Sequence, residues 1–214
     1  MKLLLYGNCQ LSVIGNWLSG FESLEILKPQ HYGVPTVHPW EDKLFFPGTV
    51  SQAPGSIYKA LDDCDLFIFH HCKKDIFVKT KHLYDVSDAK KLCVTSFYFD
   101  AYDHSGYGEK QMLAAAEENI KNLKDRQNTN KKLYGNDCLD MSSWVSDNWR
   151  DKFISSETRH PRHFYYKEMS NVMCNSFFEK RLGITPITKP FETHRGTKKN
   201  IENILRILPN ILVY

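Results

Sequence analysis

Two short stretches hold the residue types from which a nucleophilic site could be built. One is Gly7-Asn8-Cys9-Gln10, near the start; the other is Glu157-Thr158-Arg159-His160-Pro161, far along the chain. A thiol becomes a nucleophile by losing its proton, so it needs a base and a third group to orient that base. Cys9 could supply the sulfur and His160 the base. Glu157, three residues ahead of the histidine, could steady the imidazole if the loop folds back. Pro161 suits the first position of a following helix, where its missing N–H costs nothing. Taken singly, each pattern fits plain packing just as well. Together they point to chemistry.

The surrounding elements agree with a site at Cys9. Leu3-Leu4-Leu5-Tyr6 reads as a buried strand, Gly7-Asn8 as a tight turn, and Leu11, Ile14, Trp17 and Leu18 recur at helical spacing. In an open α/β sheet such a turn lies at the carboxyl end of a strand, where ligands bind. The helix N-terminus there favours a thiolate. Leu24–Leu27 reads as a short strand, and Asp65–His71 and Lys91–Phe99 as two further buried parallel strands. Helices are expected over Ser56–Cys64 with Ser56 as N-cap, over Ile76–Val86 and over Glu109–Lys124. A long one follows from Arg162 to Leu182, closed by Gly183, and Asn200–Leu208 is amphipathic. Trp144, Val145, Trp149 and Phe153 keep helical spacing within Leu139–Phe153. Residues 30–55 read as a long ordered loop and Asn128–Asp137 as a polar connection. Strands alternating with helices predict an α/β fold: a single domain over 1–214, three layers α/β/α around a central parallel sheet, with a mostly helical second half.

Composition narrows the function classes. The 214 residues are 42% hydrophobic and 25% charged, which is ordinary for a folded domain. A formal charge of +3 gives no case for nucleic acid, and the basic clusters at Lys121–Lys132 and Arg195–Lys199 read as solvated faces. The six cysteines include no C-x-x-C pair, so no zinc ribbon or dithiol motif is indicated. The opening apolar run is too short for a signal peptide and no stretch suits a membrane span. Free thiols in apolar runs suit a reducing compartment, so a cytoplasmic location is expected.

The strand Asp65–His71 ends in His70-His71-Cys72, followed by Lys73 and Lys74. Neighbouring strand residues point to opposite faces, so the two histidines are poorly placed to share a metal, and none is expected. His70 or His71 could instead donate to an oxyanion.

The strand-Gly-Asx-nucleophile turn, with acid-x-x-His-Pro before the last long helix, resembles the SGNH/GDSL hydrolase-like fold. Closer still, Tyr6-Gly7-Asn8-Cys9-Gln10 resembles the G-N-C-Q opening of the WcbI family of polysaccharide-biosynthesis proteins, and Phe153 with His160-Pro161 is similar to that family's later segment. The resemblance implies coenzyme A or acyl-coenzyme A as co-substrate, without a metal, and a sugar or glycan acceptor. It makes Cys9 the nucleophile, His160 the base and Glu157 the orienting acid, a residue longer than the usual aspartate. Asn8, Gln10, His70 and His71 would contact oxyanion and substrate. Gly7, Lys73, Lys74, Arg159 and Arg162 would line the coenzyme. The Gly-x-Asn-Asp element of the SGNH family is replaced here by Phe69-His70-His71-Cys72, which turns the expectation away from hydrolysis and towards acyl transfer.

The expected function is therefore acyl transfer from acyl-coenzyme A to a glycan or sugar precursor. A glycosyltransferase using a nucleotide sugar in the same crevice stays open, although Asp63-Cys64-Asp65 is the nearest approach to a D-x-D motif. So does a non-catalytic coenzyme A or sugar-binding module. Oligomeric state is left open.

Overall fold

Three of the apolar runs become the middle of a parallel sheet because every second residue faces a helix and the alternate ones face the other side. The strands are β1 (Lys2–Tyr6), β2 (Glu25–Ile26), β3 (Leu66–Phe69), β4 (Lys90–Val94) and β5 (Cys138–Leu139). All four pairings are parallel, in the order β2-β1-β3-β4-β5. This computed structural model describes residues 1–50, 54–72, 78–102, 107–155, 160–184 and 198–213. They gather into two compact units, the first built mainly from Met1–Ser96 and Asn130–Leu139, the second from Phe97–Thr129, Asp140–Gly183 and the carboxyl-terminal segment.

The first unit holds the whole sheet. Its helices are α1 (Cys9–Leu18), α2 (Pro47–Val50), α3 (Pro54–Asp63) and α4 (Thr80–Val86). On one face Leu4, Tyr6, Phe67, Phe69 and Cys93 pack with Ile57, Ala60 and Leu61 of α3 and Leu83 of α4. On the other, Leu5 meets α1 so closely that a Cβ on Gly15 would lie 2.7 Å from Leu5 Cδ1. The expected α/β class with a central parallel sheet and helices on both faces is thus found. Leu3, Leu4 and Leu5 are fully buried, and each such side chain contributes about 1.5–3 kcal/mol of burial.

The second unit is helical around an aromatic core. Its elements are α5 (Glu109–Tyr134), whose last turn belongs to the first unit, α6 (Ser142–Asn148), α7 (His163–Met173) and α8 (Lys198–Ile207). Past α7 the chain continues as π-helical turns, Cys174–Leu182, and stops at Gly183, whose φ of 67° suits glycine. Phe97 packs on Tyr165 at 4.3 Å between ring centroids, and Tyr102 on Phe99 and Phe153 at 5.0 Å each. The Phe153 N–H donates to Leu212 O at 2.8 Å and ties down the tail.

Several boundaries differ from expectation. Helix α5 runs on to Tyr134, so most of the expected polar connection Asn128–Asp137 is helical. Leu123, Gln127, Asn130 and Tyr134 form its buried stripe, two amides standing where apolar residues would have revealed it. Only Ser142–Asn148 of Leu139–Phe153 is helical, because Asp140 Oδ1 accepts from the Ser142 N–H at 2.9 Å and starts the helix there. The α3 helix begins at Pro54, so Ser56 is a buried first-turn residue rather than the N-cap. Strand β4 ends at Val94, short of Phe99.

The Gly15 contact predicts that Gly15→Val forces α1 off the sheet. Chemical denaturation should show a loss of about 1–3 kcal/mol, and no loss would mean the helix can shift freely.

Candidate functional site

Because Tyr6 pairs with Phe69, the chains leaving β1 and β3 emerge side by side. Strand order reverses at this point, β2 lying on one side of β1 and β3 on the other. Such a switch point opens a crevice at the carboxyl ends of the strands. Phe45 adds a bridge here: its N–H donates to Leu5 O at 2.9 Å, and its carbonyl accepts from the Gly7 N–H at 3.2 Å.

Gly7 is needed for space, not for an unusual φ. A Cβ there would lie 2.7 Å from Leu11 Cδ1 and 3.0 Å from His70 Nδ1. Asn8 is the N-cap of α1, its Oδ1 accepting from the Gln10 N–H at 3.0 Å. Its Nδ2 donates to Ser96 Oγ, just past β4, at 3.1 Å. One side chain therefore caps the helix and ties the turn to a neighbouring strand.

His70 is 1% exposed. Its N–H donates to Tyr6 O at 3.0 Å, and its Nδ1 accepts from the Asn8 N–H at a long 3.5 Å. That assigns the proton to Nε2, which is buried without a hydrogen-bond partner among the described residues. Burial pushes the imidazole down to about 3, so the ring is neutral at ordinary pH. His71 belongs to the other face, where its Nδ1 lies 2.8 Å from Tyr134 Oη. Tyr84 stacks edge-on against Tyr134 at 4.9 Å and donates to Asp137 Oδ2 at 2.8 Å.

Cys9 is the first residue of α1 and half-buried. The N–H groups of Cys9 and Gln10 face its sulfur and favour the thiolate, but burial outweighs them and pushes the thiol above its ordinary value. The expected thiolate is therefore corrected: at neutral pH the Cys9 sulfur keeps its proton until a base removes it.

In the second unit, His160 is half-buried and its carbonyl accepts from Ser155 Oγ at 3.4 Å. Pro161 does not open the helix. It bridges Ser155 in antiparallel fashion, and α7 starts at His163. Arg162 is buried with its guanidinium 4.5 Å over the Phe153 ring, and its N–H donates to Ile154 O at 3.0 Å. Glu157, Arg159, Lys73 and Lys74 lie outside the described residues. The first unit thus brings together Gly7, Asn8, Cys9, Gln10 and His70, with His71 on the opposite face. Phe45, Ser96 and Tyr134 join them without any signal in the sequence beyond the positions of Ser96 and Phe45 in apolar surroundings.

A pocket of about 760 Å³ opens elsewhere, at the amino ends of β1, β3 and β4, lined by Met1, Asp62, Cys64, Asp65, Asp88 and Lys90 among others. It is at the wrong edge of the sheet for the cysteine turn. Its one thiol, Cys64, donates to Leu61 O and is pushed up to about 12 by burial. Among the described residues no group of three or more His, Cys, Asp or Glu is arranged to hold a metal ion, and no helix is long and apolar enough to cross a membrane. Comparison with protein families, curated proteins and solved structures finds no match to this chain.

Two outcomes follow from this geometry. Asn8→Ala should cost about 1–2 kcal/mol in denaturation, the range of a lost N-cap, whereas Asn8→Asp, which keeps the capping oxygen, should cost less. For His70, the unfolded chain binds a proton below about pH 6.5 and the folded one only near 3. Stability attributable to this ring is complete above the unfolded value and falls as pH drops from about 6.5 towards 3, by up to roughly 1.4 kcal/mol per unit. The difference between wild type and His70→Asn in denaturation midpoint should shrink as pH falls through that window; a constant difference would refute the buried neutral assignment.

Proposed function

We propose that this protein transfers an acyl group from acyl-coenzyme A to a sugar or glycan precursor, on an SGNH-like fold of the WcbI kind. The observation that supports it is Cys9 at the first turn of α1, at the sheet's switch point, on a turn built by Gly7, Asn8 and His70. That is where an attacking sulfur is best served by a strand-to-helix turn.

The described residues suit the thioester end of the donor better than its phosphates. Gly7 has no room beside it, and the Arg162 guanidinium is buried over Phe153. In this reading the phosphates fall to Lys73, Lys74 and Arg159. Cys9 Sγ attacks the thioester carbonyl after giving its proton to a base, the role the resemblance assigns to His160, with Glu157 steadying the imidazolium. The Cys9 N–H and an adjacent donor stabilise the oxyanion; one such donor is typically worth about 10²–10³ in rate. His160 then returns the proton to the leaving thiol, removes one from the acceptor hydroxyl as its oxygen attacks the acylated Cys9, and passes it to the Cys9 sulfur, which leaves as the free thiol when the thioester bond breaks.

A second reading has one observation in its favour. Burial keeps the Cys9 thiol protonated, which suits a module that binds coenzyme A or a sugar without turnover. Acyl-coenzyme A turnover with a sugar acceptor separates the two. Cys9→Ala and His160→Ala should each abolish turnover, the double mutant being little worse than either alone, and Glu157→Gln should lose less. Coenzyme A should still raise the melting temperature of Cys9→Ala; at about 100 times its dissociation constant a ligand adds roughly 2.7 kcal/mol. Turnover by the double mutant at the wild-type rate would end the acyltransferase reading. A thermal shift with a nucleotide sugar and none with coenzyme A would favour a glycosyltransferase.

A further inference from the structure

Away from the cysteine turn, two thiols lie side by side at the β4–β5 edge of the sheet. Cys93 of β4 and Cys138 of β5 are in-register partners on adjacent parallel strands. Both face the core formed by Phe69, Leu83 and Tyr134. Neighbouring strands run about 4.8 Å apart, and cysteines are bridged when their Cα atoms lie about 4.4–6.8 Å apart. In-register cysteines on adjacent strands therefore fall within the Cα range that a disulfide spans. Burial, and after it the neighbouring Cys138 thiol, hold the Cys93 thiol well above its ordinary value, which suits it to react second. Cys138 is partly exposed at the sheet's edge and Cys93 fully buried, so a reagent meets Cys138 first. β5 is a two-residue strand at the sheet's edge. It can take up the small shift that draws the sulfurs to bonding distance.

We propose that Cys93 and Cys138 form a reversible thiol–disulfide site that reacts with low-molecular-weight disulfides. Cys138 loses its proton and attacks one sulfur of the small disulfide, forming a mixed disulfide and releasing one small thiol. Cys93 then attacks the Cys138 sulfur and gives its proton to the second departing thiol. Two electrons pass from the protein thiols to the reagent, which leaves as two thiols. Cys72, whose thiol donates to His70 O at 3.6 Å, is the nearest competitor and is already engaged elsewhere.

The test is incubation of the native full-length protein with excess oxidised glutathione, followed by alkylation and non-reducing peptide mapping. The expected product is a peptide pair joined through Cys93 and Cys138, lost on treatment with dithiothreitol. It should persist in Cys72→Ala. Cys138→Ser should give no joined pair at Cys93, and Cys93→Ala should trap glutathione on Cys138. A protein that stays fully reduced, that carries glutathione stably on Cys138 in the wild type, or that joins Cys93 to Cys72 would overturn the proposal. None of these outcomes depends on acyl transfer at Cys9, so the two readings fail separately.

Discussion

At Gly7 the exit of the first strand passes so close to His70 that a single added carbon would collide with the ring and with Leu11. The arrangement of the cysteine turn depends on that approach. It follows from the in-register pairing of β1 with β3, which sets the two exits one strand spacing apart. Closeness then dictates chemistry. The Asn8 N–H reaches the His70 ring, burial keeps that ring neutral, and Asn8 is left with its side chain free to cap α1 and to hold Ser96. A turn tied at three points presents Cys9 in one orientation, the kind of support a reactive group requires if its geometry is to be productive.

Cys9 itself sits between two opposed influences. The first N–H groups of a helix stabilise negative charge on the sulfur, and taking the sulfur half out of water destabilises it. Here desolvation wins. That outcome changes what the site must contain more than whether it can act. A pre-formed thiolate would need only a bound electrophile, while a protonated thiol needs a base that arrives in the right place and charge state. Any thiol chemistry at this turn therefore begins with the base that takes the Cys9 proton.

The runs Leu3–Tyr6 and Leu66–Phe69 were legible as central strands because buried parallel strands are apolar on both faces and need no alternation. The turn between β1 and α1 was legible for the same local reason: glycine, a capping residue and then a periodic apolar stripe. What stayed hidden rests on tertiary partners. Two residues, Cys138-Leu139, make a strand only because β4 offers an edge to pair with. The end of α5 reads as polar loop until Gln127 and Asn130 are seen to be buried, Asn130 with its Nδ2 donating to Thr95 Oγ1 at 3.0 Å. Pro161 looks like a helix start, yet it pairs with Ser155, which stands six residues earlier. Ser96 carries no pattern at all; it matters because Asn8, far away in sequence, points at it.

The stretch Cys93–Ser96, at the end of β4 and just beyond it, shows why this edge of the sheet is polar where the interior strands are not. Each of its three polar residues has a different neighbour: Cys93 its in-register partner Cys138 on β5, Thr95 the last turn of α5, Ser96 the cap of α1. A buried donor or acceptor left without a partner costs about 1–3 kcal/mol, so the buried Thr95 hydroxyl is stable only with the Asn130 amide in position. The same dependence makes such bonds specific. An apolar end to β4 would tolerate a rotated α5 or a shifted α1, since apolar contacts have no direction, whereas hydrogen bonds to two side-chain amides would not. The polar rim thus holds the turn bearing Cys9 and the end of α5 in one arrangement, and it does so through short side chains that no periodicity in the sequence would single out.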